Sequence, residues 1–333
     1  MDQNQPEREE REQRLLRLHR ARWQFAYPML ALAFVFLFST ILQSTADSII
    51  RMTVPTVASA DWYPWVLSML PMYLCAMPIS LLIFRLCDTD LPKEKRLGGG
   101  VWWGLLAICF ALTYAGNLIG SIVNVVLSFL TGTSIVNPLA SMTLSSPLWV
   151  NLLFVGILAP IMEEIFYRKL LIDRWRRYGD LAAVLLSSLV FGLIHGNFSQ
   201  FFYAFAVGFL FGLVYVQTGR IRYTVLLHMA INLIGGVYTT EMMKLLAPSL
   251  AAQNPVEALL HNPAGMLMLL GYLVFLLAAI VGAVAAVILF FRQRREPLAR
   301  AKEPMQPAEW KEVLLLNPGV WMLGFVVLLM FLL

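Results

Sequence analysis

Between Val101 and Leu130 the chain runs through thirty consecutive residues without one charged side chain. A helix crossing the hydrocarbon core of a bilayer needs about 20 such residues, and few water-soluble elements supply them. Lipid offers the backbone no hydrogen-bond partners, so the segment must satisfy its own N–H and C=O groups as a helix. Similar apolar runs recur along the whole chain. They fit spans at Tyr27 to Thr45, Pro64 to Leu86, Leu148 through the Glu163 region, Leu181 to about Phe198, Phe201 to Val216, Tyr223 to Val237, Gly265 to Phe291 and Val313 to Leu333. Of 333 residues, 59% are hydrophobic and 14% charged, against about a quarter charged in an ordinary soluble domain. The expected fold class is all-α, a polytopic membrane helix bundle of eight to nine transmembrane helices. The 101–130 run reads as one tilted or over-length helix carrying Asn117 and Asn124.

The net charge of +5 suggests a nucleic-acid partner only until the charges are located. If the N-terminus is cytoplasmic, the inner segments are 1–26, 87–98, 168–180, 217–222 and 292–312. With Arg85 at a span end they hold 23 of the 25 Lys and Arg residues, leaving Arg51 and Lys244 outside. Lys and Arg accumulate in cytoplasmic loops, so a cytoplasmic N-terminus is expected and no nucleic-acid partner is. Residues 1–26 then form a polar cytoplasmic tail or surface helix, 27–147 the first membrane helices, 148–240 a catalytic helical core and 241–333 the last membrane helices. No short apolar core with a small-residue cleavage site marks a signal peptide. Cys75, Cys87 and Cys109 show no paired spacing and read as buried small hydrophobes.

Ionisable groups inside a membrane are costly, and they mark function. The fourth span carries Glu163-Glu164-x-x-x-Arg168, the fifth Phe191-x-x-x-His195 and the seventh His228-x-x-x-Asn232. Residues four apart share a helical face, so Glu164 can pair with Arg168. Glu163 is rotated by about 100° to another neighbour and is free for chemistry. Glu163 lies 16 residues before Gly179 and His195 lies 16 residues after it. A hairpin turning at Gly179 brings the two level, with its tip, Asp173 to Arg177, projecting past the membrane surface. Pro160 cannot donate to the carbonyl of Gly156, so a kink that opens the helix beside Glu163 is expected. A buried carboxylate can take a proton from water, an imidazole opposite can share that activation, and a second histidine with an asparagine can donate to a tetrahedral oxyanion. This is peptide-bond hydrolysis. The same groups could instead hold one divalent metal such as zinc, with Glu163, His195 and His228 as ligands.

E-E-x-x-x-R, F-x-x-x-H and H-x-x-x-N, in this order on successive spans, resemble the CPBP intramembrane protease family, which includes the CAAX prenyl endopeptidase Rce1 and bacteriocin-processing and immunity proteins. The resemblance covers residues 148 to about 240. It implies that Glu163 activates water with His195, that His228 and Asn232 stabilise the oxyanion, and that Glu164, Arg168 and Phe191 support them. The family is often labelled metalloprotease, and a metal-free glutamate mechanism requiring no cofactor is argued for it as well. The implied substrate is a membrane-embedded or membrane-anchored protein or peptide cut near its C-terminus. From the charge placement, the expected setting is a bacterial plasma membrane, with the active site opening to the cytoplasm; oligomeric state is left open. Two other readings use the same residues: a non-proteolytic immunity or scaffold protein that keeps the motifs for stability, and a proton-linked transporter. No inverted repeat or matched pair of broken helices supports the transporter. His19 and His261 read as bystanders. Trp102-Trp103, Phe201-Phe202-Tyr203 and Trp321 read as interface anchors or packing. Gly208 and Gly212, at G-x-x-x-G spacing, read as a site of close helix packing.

Overall fold

The structure, a computed structural model, describes residues 5–135, 137–292 and 297–332. Met1 to Asn4 of the expected tail, Arg294 and Arg295 of the last basic segment, and the terminal Leu333 lie outside the described residues. The described chain is helical, without strands. In order the main helices are α1 (Gln5–Thr53), α2 (Tyr63–Phe84), α3 (Gly99–Thr131), α4 (Pro138–Ser145), α5 (Leu148–Tyr178), α6 (Asp180–Leu193), α7 (Phe198–Thr218), α8 (Ile221–Leu250), α9 (Pro263–Arg292), α10 (Pro307–Leu315) and α11 (Pro318–Leu332). Seven are long and apolar enough to cross a membrane, and α10 with α11 adds an eighth if that pair is counted as one span. The protein is an all-α polytopic membrane bundle.

Three expected spans take a different form. The first is part of a single 49-residue helix that continues from Gln5 past the expected end at Thr45. From Leu18 inward this helix is packed, with Ala21, Phe25 and Ala26 buried, and tertiary contact outweighs the one hydrogen bond that Pro28 removes. The fifth is only 14 residues long, too short to cross. It ends at Leu193, because Gly196 takes a positive φ of 65° and Asn197 caps α7 through the amide of Gln200. The ninth is bent by 62° between α10 and α11. There Asn317 accepts from the amides of Gly319 and Val320 and donates to the carbonyl of Arg22. The 101–130 run is one helix, as expected.

The arginine-rich segments gather at one end of the bundle and bond to one another. The amide of Asp90 donates to Asp173, that of Lys95 to Thr218 and that of Lys302 to Arg177. The Leu97 amide donates to the Tyr223 hydroxyl at 3.1 Å. Ion pairs join Arg177 to Asp88 at 2.8 Å, Lys302 to Asp90 at 2.8 Å and Arg220 to Glu94 at 3.2 Å. These contacts place the segments on a common face whichever side of the membrane that face meets. They also cover the α5–α6 hairpin tip. Asp173, Arg174 and Trp175 are buried beneath Gln24 and the 88–96 loop, while Arg176 and Arg177 stay partly exposed.

Outward-facing side chains follow the membrane rule. In α9 Leu267, Leu270, Leu273 and Leu277 are more than half exposed, a face suited to lipid and not to water. Helices packing in lipid gain from close approach, which small residues permit. A Cβ on Gly116 would lie 2.4 Å from the Cα of Tyr203, and one on Gly120 would lie 2.4 Å from the carbonyl oxygen of Phe198. This second G-x-x-x-G pair lets the start of α7 rest on α3, where Asn124 donates to Ser199 at 2.7 Å. Gly120→Ala is therefore expected to lower stability by about 1–3 kcal/mol, the usual range for overpacking. Gly100→Ala in the same helix, where a Cβ meets nothing within 4 Å, is the control. Thermal unfolding in detergent distinguishes them.

Candidate active site

Two adjacent glutamates in the middle of α5 have different surroundings. Glu164 is fully buried, and its Oε2 accepts from Arg168 Nε at 3.2 Å while its Oε1 lies 3.1 Å from His228 Nδ1. Arg168 is also fully buried. Its guanidinium lies over the rings of Phe191, at 4.9 Å, and Phe211, at 5.9 Å, and its Nη1 donates to Ser187 Oγ at 3.2 Å. Ser187 in turn donates to the Tyr167 carbonyl. Two charges so deep are tolerable only when each is neutralised and hydrogen-bonded. Gly208 makes room for them: a Cβ there would lie 2.9 Å from Phe191 Cδ1 and 3.2 Å from Arg168 Nη2. Gly212 is packed as closely, against Val184.

Glu163, one residue earlier, keeps 22% of its side chain exposed, and its Oε2 stands 3.6 Å from His228 Nε2. His228 thus lies between the two carboxylates, with Nδ1 toward Glu164 and Nε2 toward Glu163. Phe191 meets the His228 ring edge-on at 5.9 Å and Phe211 lies 5.4 Å away, which fixes the plane of the imidazole. The direct neighbour of Glu163 is therefore His228.

His195 stands in the turn after α6 and not on a helical face. Its Nδ1 lies 2.7 Å from the Phe191 carbonyl. A carbonyl only accepts, so Nδ1 carries the hydrogen and Nε2 keeps a lone pair. Asn232 donates through Nδ2 to the Val155 carbonyl at 2.9 Å, leaving its second amide hydrogen for another acceptor. The expected kink at Pro160 takes the form of wider π-helical turns. Asn151–Leu158 and Ile165–Ile172 bracket the glutamates in α5, and Asn232–Tyr238 follows the histidine in α8. Such turns often occur at functional sites because they re-aim side chains and free backbone groups.

One cavity of about 530 Å³ is lined by Glu163, His195, His228 and Asn232 together. Phe191 lines it as well, whereas Glu164 and Arg168 lie behind its wall. Its remaining wall includes Asn117, Gln200 and Tyr203, to which the sequence reading gave no site role. The signal for Asn117 is a polar residue within an apolar run; Gln200 lies between two expected spans and gave none. Tyr203 reads as an aromatic anchor, and its place in the wall follows from the close α3–α7 approach.

One expected alternative, the metal site, finds no support in this geometry. Among the described residues, no three His, Cys, Asp or Glu side chains converge to hold a metal ion. Glu163, His195 and His228 are not brought together as such a group, and zinc would need their ligand atoms about 2.0–2.2 Å from one point. The metalloprotease label therefore has no support in the site. Asn137, Ala140 and Leu144 of the α3–α5 connection and Met243 of α8 also line the cavity, and Ala140, Leu144 and Met243 are exposed.

A family comparison covers this stretch. Residues 145–234 match the model described as type II CAAX prenyl endopeptidase Rce1-like. The matched stretch is similar to an Rce1-like domain. It contains all three motifs and the helices that hold them, α5 to the middle of α8. Two curated relatives match a wider region. A protein of Bacillus subtilis (strain 168) named "Putative membrane peptidase YdiL" is 26% identical over 168 residues, which is 48% of this chain and 66% of the relative. The membrane-embedded CAAX protease MroQ of Staphylococcus aureus (strain USA300) is 27% identical over 163 residues, 46% of this chain and 64% of the relative. The matches thus span just under two thirds of those relatives' lengths. No solved structure matches the chain significantly.

Proposed function

We propose that this protein is an intramembrane endopeptidase using a glutamate-activated water and no metal. One observation carries the reading: a single cavity holds an unanchored carboxylate, a histidine with a free Nε2 and two further hydrogen-bond donors. Water enters between Glu163 and His195 Nε2, which together orient it. Glu163 takes the water proton as the oxygen attacks the scissile carbonyl. The developing oxyanion is met by His228 as an imidazolium, its Nδ1–H held by Glu164 and its Nε2–H free to donate, and by the second Nδ2 hydrogen of Asn232. Glu163 then delivers its proton to the leaving amine as the C–N bond breaks. Glu164 and Arg168 make no contact with the cavity and act by fixing His228. The relatives' names support a membrane peptide or protein as substrate.

Purified full-length protein incubated with a membrane-peptide substrate tests this proposal. Cleavage is expected to persist after exhaustive treatment with a chelator. Loss of cleavage that zinc restores would rule out the metal-free mechanism.

A further inference from the structure

The direction of the cavity carries an inference about the substrate. The arginine-rich face is defined by contacts among the 88–97 loop, Asp173, Tyr223 and the 299–303 segment. Measured from that face at about 1.5 Å per residue, Glu163 lies roughly 15 Å above Asp173 and His228 roughly 8 Å above Tyr223. The lining then continues away from it. On α8 it runs through Asn232 and Thr239 to Met243, a further 22 Å or so from His228 at the same rise. On α5 it runs back through Ala159 to Val155, and it ends under Ala140 of α4. Below the floor the way is closed. Glu164, Arg168, Tyr167, Leu171 and Trp175 are each at most 2% exposed and fill the space between Glu163 and the arginine-rich loops.

Among the described lining residues, Glu163 is the only Asp, Glu, Lys or Arg. The lining is thus neutral apart from Glu163, and the Lys244–Glu241 ion pair beside it adds no net charge. The Lys and Arg of the 88–97 loop, the 174–177 stretch and the 299–303 segment lie instead at the opposite face. Positive residues face the cytoplasm, so the rim meets the other side. We propose that the polypeptide cut here reaches Glu163 from the non-cytoplasmic face. Its scissile bond then lies in a translocated or outward-anchored segment with few charged side chains, and not at a cytoplasmic C-terminus. The proposal rests on the hydrolase reading for the word "cut", but the route is a matter of topology alone.

Single cysteines on two exposed positions test it in intact cells expressing the full chain. Ala140→Cys reports the rim and Lys93→Cys the arginine-rich face, each against the parent chain with its native cysteines. A membrane-impermeant maleimide is expected to label Ala140→Cys and to label Lys93→Cys only after the membrane is opened. If Ala140→Cys does not accumulate, Leu144→Cys, also a lining position and exposed, reports the same rim. In purified protein, a bulky maleimide on Ala140→Cys is expected to abolish cleavage of the membrane peptide, and one on Lys93→Cys to spare it, each variant being compared with itself before modification. Labelling of Lys93→Cys with protection of Ala140→Cys in intact cells overturns the proposal, as does undiminished cleavage with the rim modified. The labelling arm reads topology and not turnover, so its failure is distinct from a failure of the hydrolase reading.

Discussion

Glu163→Gln is expected to fold as well as the parent and to cleave its substrate at least about 10²–10⁴-fold more slowly, the range for loss of a positioned general base. The amide keeps the size and the partial exposure of the side chain but cannot take a proton from water. Little stability should change, because Glu163 is 22% exposed and its closest ionic neighbour, His228 Nε2, stands 3.6 Å away, beyond hydrogen-bond distance. His228 keeps its contact with Glu164. The loss should therefore fall on turnover, with substrate binding and the melting temperature near those of the parent. A rate assay in detergent with a circular-dichroism melt of the same preparation reads both quantities.

Arg168→Ala is expected to do the reverse, acting first on the fold. Removing one member of a buried pair leaves the other charge uncompensated, at a penalty of about 3–5 kcal/mol. Here the abandoned partner, Glu164, is fully buried and also holds His228. The guanidinium fills the gap between Phe191 and Phe211, so truncation adds a void beneath the cavity floor. Combining Glu164→Gln with Arg168→Met should be milder than the two single losses summed, with coupling of about 0.5–3 kcal/mol as for residues in contact. A neutral pair no longer buries an unmatched charge. Unfolding of the two single variants and the double variant measures this coupling. Additive losses would mean that Glu164 and Arg168 do not stabilise each other.

Much of this architecture is written in local pattern. Apolar run length and the clustering of arginines mark the spans and the common face, and the i, i+4 spacing of Glu164 and Arg168 foretells their ion pair. Gly179 does turn the α5–α6 hairpin, with φ 117°. The features missed in the sequence depend on packing between distant segments. Nothing local says that α6 stops at Leu193, because Ile194 continues its apolar run until the Gly196 turn. The role of His228 as a bridge between both glutamates depends on α5 and α8 meeting across 64 residues. The direction of the cavity depends on which helix faces separate. The Gly116 and Gly120 pair has the same spacing as Gly208 and Gly212, yet its meaning appears only where α7 begins against it.

The central claim is that adjacent glutamates divide the work, Glu163 carrying the reaction and Glu164 the structure. Glu163→Gln and Glu164→Gln, purified side by side and assayed for peptide cleavage and melting temperature, test it most directly. The expected result is a parent-like melt with lost cleavage for Glu163→Gln, and a lowered melt for Glu164→Gln. Cleavage surviving in a folded Glu163→Gln protein, or a parent-like melt in Glu164→Gln, would contradict it.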